Sequence, residues 1–86
     1  MIHITHLEPL ADNILRLCFD DGTDKLVDVK PFIGSDALTA PLADPAYFRQ
    51  VRVYGNGRGI FWPNEYDMCP DYLRHFVPDA RSVVAD

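Results

Sequence analysis

The chain has 86 residues and a net charge of −5, with 48% hydrophobic and 24% charged residues. That length holds one domain with a single modest core, and the apolar content excludes a disordered chain. The acidic balance, with basic residues scattered and never in a run, argues against nucleic-acid binding by this chain alone, and no apolar run reaches the roughly 18 residues of a membrane span.

The opening residues MIHITHLEPLAD lack a basic region followed by an apolar block. No signal peptide is expected, and a cytoplasmic protein is. Ile2 to Leu7 predicts a first strand from its β-branched content and partial alternation, broken by Glu8-Pro9 or lying at a sheet edge. Asp12-Asn13 supplies a turn. Ile14 to Phe19 predicts a second strand with Leu15, Leu17 and Phe19 on its core face. Asp20-Asp21-Gly22-Thr23 is a hairpin signal, because Asp-Gly accepts positive φ angles. Asp24 to Val29 predicts the third strand of a meander. Its alternation is imperfect: Lys25, Val27 and Val29 share one face, Leu26 and Asp28 the other, and which face turns inward stays open.

Pro31, Gly34, Pro41 and Pro45 rule out a long helix over 30–45, so a compact connector with short helical turns is expected there. Asp44-Pro45 reads as cap and first residue of one or two helical turns, with Phe48 facing in. Val51 to Tyr54 and Ile60 to Trp62 predict a hairpin across Gly55–Gly59, where Asn56-Gly57 favours a type I′ turn. Pro70 predicts the start of a helix over Asp71 to Phe76, with Tyr72, Leu73 and Phe76 on one buried stripe. Pro78 stops it, and Arg81 to Asp86 has no clear partner and reads as a loose tail.

Motifs with chemistry are few. Gly55-x-Gly57-x-Gly59 precedes a strand rather than a helix, which suits a hairpin and not a phosphate loop. His3 and His6 fall on opposite faces of a strand and cannot chelate together. Cys18 and Cys69 are too few for a disulfide framework and read as free thiols, Cys18 buried in a strand and Cys69 near a helix start. Asp20, Asp21, Asp24 and Asp28 cluster around the first hairpin without the spacing of a calcium loop, so a solvated turn is the expectation. Tyr54, Phe61, Trp62, Tyr66 and Tyr72 crowd one short stretch, and in a domain this small most of them are expected in the core. Alternation cannot bury both Phe61 and Trp62 on one face, so an outward aromatic is expected to mark a contact surface.

The elements Leu15-x-Leu17-x-Phe19, Asp21-Gly22, Val27-Asp28 with Phe32, Leu42-x-Asp44-Pro45-x-x-Phe48, Val51-x-Val53, Ile60-x-Trp62-x-Asn64, Asp67 and Pro70-x-x-Leu73 recur in order through nearly the whole chain. In that order they resemble a bacterial family classed as domain of unknown function 2442. The resemblance implies a small α+β fold with an antiparallel sheet, like the N-terminal domain of a two-domain protein in which a repressor-type helix-turn-helix can follow. It also implies neighbours among short proteins of toxin–antitoxin pairing. It carries over no catalytic residue.

The expected architecture is α+β: a small antiparallel sheet, a three-stranded meander plus a hairpin, with short helical turns and one C-terminal helix. The domain is expected over 1–78 and a tail over 79–86. The expected function is a non-enzymatic interaction domain, accessory or antitoxin-like, pairing with itself or another small protein through Tyr54, Phe61, Trp62 and Tyr66. No catalytic residue, cofactor or metal is expected, and no membrane or direct nucleic-acid partner. The alternative is a small enzyme or ligand binder using Glu65, Asp67 and His75 near Trp62. That reading needs the three side chains to converge in a pocket.

Overall fold

A computed structural model describes residues 1–82 of the chain. Strands β1 (Ile4–Pro9), β2 (Ile14–Phe19) and β3 (Asp24–Asp28) form an antiparallel sheet in the order β1-β2-β3. β1 starts and ends two residues later than its composition suggests. It runs through Glu8 and Pro9, pairing Glu8 with Arg16 and Pro9 with Leu15. β1 is an edge strand, where a residue without an N–H costs no ladder bond. Asp12 and Asn13 both stand at φ 61°, and Ile14 N donates to Ala11 O. This is the double left-handed backbone of a type I′ turn, which short polar side chains tolerate.

The second sheet, in the order β4-β5-β6, contains β4 (Arg52–Val53), β5 (Ile60–Phe61) and β6 (Asp67–Met68). The predicted hairpin thus gains a third strand, held by Trp62 N donating to Tyr66 O at 3.0 Å. A type I′ turn at Asn56-Gly57 does not form. The loop is longer than two residues, and only Gly57 and Gly59 take positive φ within it. The same design serves both glycine hairpins. Phe19 O accepts Gly22 N at 3.1 Å and Tyr54 O accepts Gly57 N at 2.8 Å. Asp21 Oδ1 and Asn56 Oδ1 each accept the N–H two residues on, as these residues do in turns.

Gly59 is required where it stands. Its φ is 147°, and a Cβ there would lie 2.7 Å from the backbone oxygen of Met68 on β6. Gly59→Ala is expected to lower stability by about 1–3 kcal/mol through backbone strain and to detach β6. Urea unfolding checks the first effect and amide exchange at Met68 the second.

The sheets meet where Ile4 N donates to Gly57 O at 2.8 Å. Leu15, Leu17, Phe19, Val27 and Val29 from the first sheet and Ile60, Trp62 and Met68 from the second line one core. Between the sheets the chain makes 3-10 turns at Lys30–Phe32 and Ala40–Ala43, then α1 (Pro45–Phe48). Asp44 caps α1 through Ala46 N at 3.0 Å, and Phe48 is buried. Trp62 is 1% exposed, and its indole Nε1 donates to Phe48 O at 3.0 Å.

Helix α2 (Pro70–His75) opens on Pro70 at its first position. Pro70, Leu73 and Val77 turn inward, the spacing of one helix face. Tyr72 and Phe76 therefore face outward, and the single buried stripe expected of Tyr72, Leu73 and Phe76 is not what forms. The helix is anchored by a lysine. Lys25 is only 6% exposed, and its Nζ donates to Leu73 O at 2.6 Å and Arg74 O at 3.0 Å. These are carbonyls of the last turn, which lack intrahelical partners and lie at the negative end of the helix dipole. Burial, then the charge of Arg74, pushes the Lys25 pKa down.

Residues 79–82 lie on β3 and include a 3-10 turn, Ala80–Ser82. Asp79 Oδ1 accepts Leu26 N at 3.4 Å and Arg81 Nη2 donates to Asp24 O at 2.8 Å. Arg81 thus has partners, contrary to its reading as part of a tail; 83–86 lie outside the described residues. Side chains occupy the outward backbone groups of β3 in place of a further strand, which blunts an edge open to pairing. Asp79→Ala is expected to speed amide exchange at Leu26 roughly five- to tenfold, about 1 kcal/mol of lost protection.

Candidate interaction surface

Two outward aromatics, Tyr72 on α2 and Phe76 at its C-terminal end, form an exposed apolar surface. Phe76 is 74% exposed and Tyr72 44%. Their rings lie 6.2 Å apart at 22°, and Tyr72 meets Phe32 edge-on at 6.2 Å and 74°. Beside them runs a groove of about 620 Å³, walled by Pro31, Phe32, Tyr72, Phe76, Val77 and Pro78. Ile14 and Ala80 add to its apolar lining, and among the described residues Asp28 is the one charged side chain in it. The groove exists because α2 is short. Six residues allow one inward face, already taken by Leu73, so the rings on the other side lean on each other and on Phe32.

Tyr54 and Phe61 form a second, smaller patch. Their rings stack at 4.5 Å and 25°, and Tyr54 OH donates to Asp67 Oδ2 at 2.9 Å. That carboxylate raises the Tyr54 pKa. Tyr54 is exposed and Phe61 half-buried. Trp62 does not join them. It sits in the core between Phe48 and Tyr66, with ring centroids at 6.1 and 5.9 Å, and burial raises the half-buried Tyr66. The four aromatics expected on one surface therefore divide, Tyr54 and Phe61 on one side and Trp62 and Tyr66 on the other.

Glu65, Asp67 and His75 are all exposed. Among the described residues no hydrogen bond or ion pair joins them, and Asp67 is engaged with Tyr54. Trp62 beside them is closed over rather than open to a polar cleft. Cys69 is exposed, and Cys18 is half-buried rather than buried because its face of β2 is the outer one.

The acidic cluster is spent within the fold. Asp20 shares a hydrogen bond with His3 Nδ1 at 3.0 Å, while Asp21 meets Arg74 Nε at 2.9 Å, Asp24 meets Arg16 Nη2 at 2.7 Å and Asp28 meets Lys30 Nζ at 3.0 Å. No group of three or more potential metal ligands occurs among the described residues. The Thr23 backbone N–H and hydroxyl, with Arg74, hold Asp21 at about 2, and Arg81 holds Asp79 at about 2. Both values lie below the unfolded one, so the folded chain binds fewer protons in acid than the unfolded chain. Their stabilisation is whole above pH about 4 and is lost as pH falls toward about 2. Stability measured against pH is expected to fall across that window as pH drops, less steeply in Asp21→Asn. An unchanged slope in that variant would mean the pairing is not what protects the fold from acid.

A family model described as a protein of unknown function, DUF2442, matches residues 4–79. The chain belongs to this family. No curated protein and no solved structure matches it. The DUF2442 match runs from the first residue of β1 to Asp79, so it takes in both sheets, α2 and all of the groove lining except Ala80. No helix among the described residues is long and apolar enough to cross a membrane. The groove of this DUF2442 chain escaped the sequence reading because Tyr72 and Phe76 have the spacing of a buried stripe. The available signal was Pro70 and Pro78, which limit the helix to two turns and so to one buried face.

Proposed function

We propose that this chain is a non-enzymatic protein–protein interaction domain, an accessory or antitoxin-like regulatory component that pairs with itself or with another small protein. The observation that carries this reading is Phe76, three-quarters exposed on the rim of an apolar groove in a chain that seals Leu15, Leu17, Leu42 and Leu73 completely. Aromatic side chains that meet water beside a groove are characteristic anchors of interfaces. Tyr54 and Phe61 add a second contact. Two unpaired cysteines, one of them exposed, suit a reducing cytoplasm.

Co-expression with the product of the adjacent gene tests the reading, using wild type and Phe76→Ser. Wild type is expected to co-purify with that product, or to form a dimer by light scattering. Phe76→Ser is expected to lose either association at unchanged circular dichroism. A wild-type chain that stays monomeric at high concentration and retains nothing from its neighbour overturns the proposal.

A further inference from the structure

We propose that Asn56 is a self-modification site, where the side-chain amide is lost to water and the peptide bond to Gly57 becomes an aspartyl or isoaspartyl linkage that loosens the seam between the two sheets. The inference goes beyond the interaction reading and does not depend on it.

The three asparagines of the chain differ in what holds their amide nitrogen. Asn13 Nδ2 donates to Leu42 O at 2.8 Å and Asn64 Nδ2 to Leu38 O at 3.0 Å. The residues that follow them, Ile14 and Glu65, are bulky. Asn56 is exposed, and among the described residues its Nδ2 takes part in no hydrogen bond. Gly57 follows it, with no Cβ to hinder the approach of its own amide nitrogen to the side chain. Asn56 Oδ1 accepts Arg58 N at 3.0 Å. That places a fixed N–H at the oxygen where negative charge develops when Cγ is attacked. Asn64 Oδ1 has such a donor too, Tyr66 N, but its leaving nitrogen is held.

In the reaction the Gly57 amide gives its proton to hydroxide and its nitrogen bonds to Asn56 Cγ. The bond from Cγ to Nδ2 breaks, and ammonia leaves with a proton from water. Water then opens the cyclic imide. Cleavage of the new bond to Cγ gives an aspartyl residue; cleavage at the main-chain carbonyl gives an isoaspartyl one, whose main chain runs through the side chain. Gly57 N donates to Tyr54 O at 2.8 Å, so the loop opens before the attack and the folded chain reacts more slowly than a free peptide. The hairpin at Asp21-Gly22 has the same donor on its side chain, Thr23 N. Its carboxyl, held at about 2 and set against Arg74 Nε at 2.9 Å, stays ionised and offers no leaving group.

The consequence falls on Gly57. Its O accepts Ile4 N at 2.8 Å, where the sheets meet. A Cβ on Gly57 would lie 2.9 Å from Ile4 O, so loop and strand stand too close to absorb extra atoms. An isoaspartyl linkage inserts one carbon into the main chain immediately before Gly57 and moves its carbonyl off Ile4 N.

Incubation of the full chain at mildly alkaline pH tests this, read by peptide mapping with mass spectrometry and by an isoaspartyl methyltransferase assay. Conversion is expected at Asn56 ahead of Asn13 and Asn64, faster as pH rises, and absent in Asn56→Ser, which keeps a turn-forming oxygen. Asp21 is expected to isomerise only in the urea-unfolded chain. In the isoaspartyl fraction amide exchange at Ile4 is expected to rise roughly tenfold, the loss of about one hydrogen bond. No conversion at Asn56, while a peptide spanning Tyr54 to Gly59 converts, overturns the site and makes the bond of Gly57 N its protection. Equal conversion at Asn13 or Asn64 overturns the selection. Conversion at Asn56 with exchange at Ile4 unchanged overturns the loosening of the seam.

Discussion

Trp62→Ala is expected to cost about 3–5 kcal/mol from the lost burial and the cavity left behind. A chain of this length has a total stability of roughly 4–13 kcal/mol, so much of the population would unfold. Trp62 is nearly inaccessible, its indole N–H is spent on Phe48 O, and its ring lies between Phe48 and Tyr66. It joins α1 to the second sheet. Truncation also orphans the Phe48 carbonyl, at about 1 kcal/mol more. Trp62→Phe separates the two effects, since it keeps a ring and loses only the donor and the outer part of the volume. Urea unfolding followed by far-ultraviolet circular dichroism is the measurement, because the intrinsic tryptophan signal disappears with the side chain. An alanine variant within about 1 kcal/mol of wild type would mean that the centre of the core lies elsewhere.

Lys25→Met is expected to cost about 2–3 kcal/mol, although it exchanges a buried cation for an apolar side chain of similar length. The methionine stem preserves the packing, and relief of the ammonium's desolvation returns part of the loss. What remains is two carbonyls at the end of α2 with neither helix nor lysine to bond them. The loss should be local before it is global. Amide exchange in Leu73 to Val77 is expected to rise ahead of exchange in β2, because Lys25 is the buried tie between that helix end and the first sheet, beside the exposed Arg74–Asp21 pair. Uniform acceleration through both sheets would instead indicate that the lysine supports the fold at large. Since α2 also carries Tyr72 and Phe76, loosening it is expected to spoil the groove as well.

Strict period-two alternation made β2 readable, with Leu15, Leu17 and Phe19 turned to the core, because a strand with one wet face has one way to bury three large side chains. Asp44-Pro45 marked the start of α1 for a local reason: the carboxylate caps Ala46 N, and proline needs no donor at that position. β3 was legible as a strand but not as an orientation. Its inward face carries Lys25 with Val27 and Val29, and a lysine on an apolar face looks like an error until the carbonyls it serves are in place, 48 and 49 residues away. β6 is two residues long, too short to show any period. The outward aromatics of the candidate surface were misplaced by a similar limit. Periodicity reports which residues share a face, not which of two faces another element will cover.

The chain's own pattern of residues determined its α+β class, the hairpins at Gly22 and Gly57, the starts of both helices and the existence of an aromatic excess. Each of these is set by neighbours within a few positions, through φ preference, capping or alternation. Only the tertiary structure decided that Trp62 goes in, that Phe76 stays out and that Asp21, Asp24 and Asp28 are paired with cations. Those outcomes depend on contacts between residues far apart in the chain, whose free energies exist only once the two sheets and α2 have met.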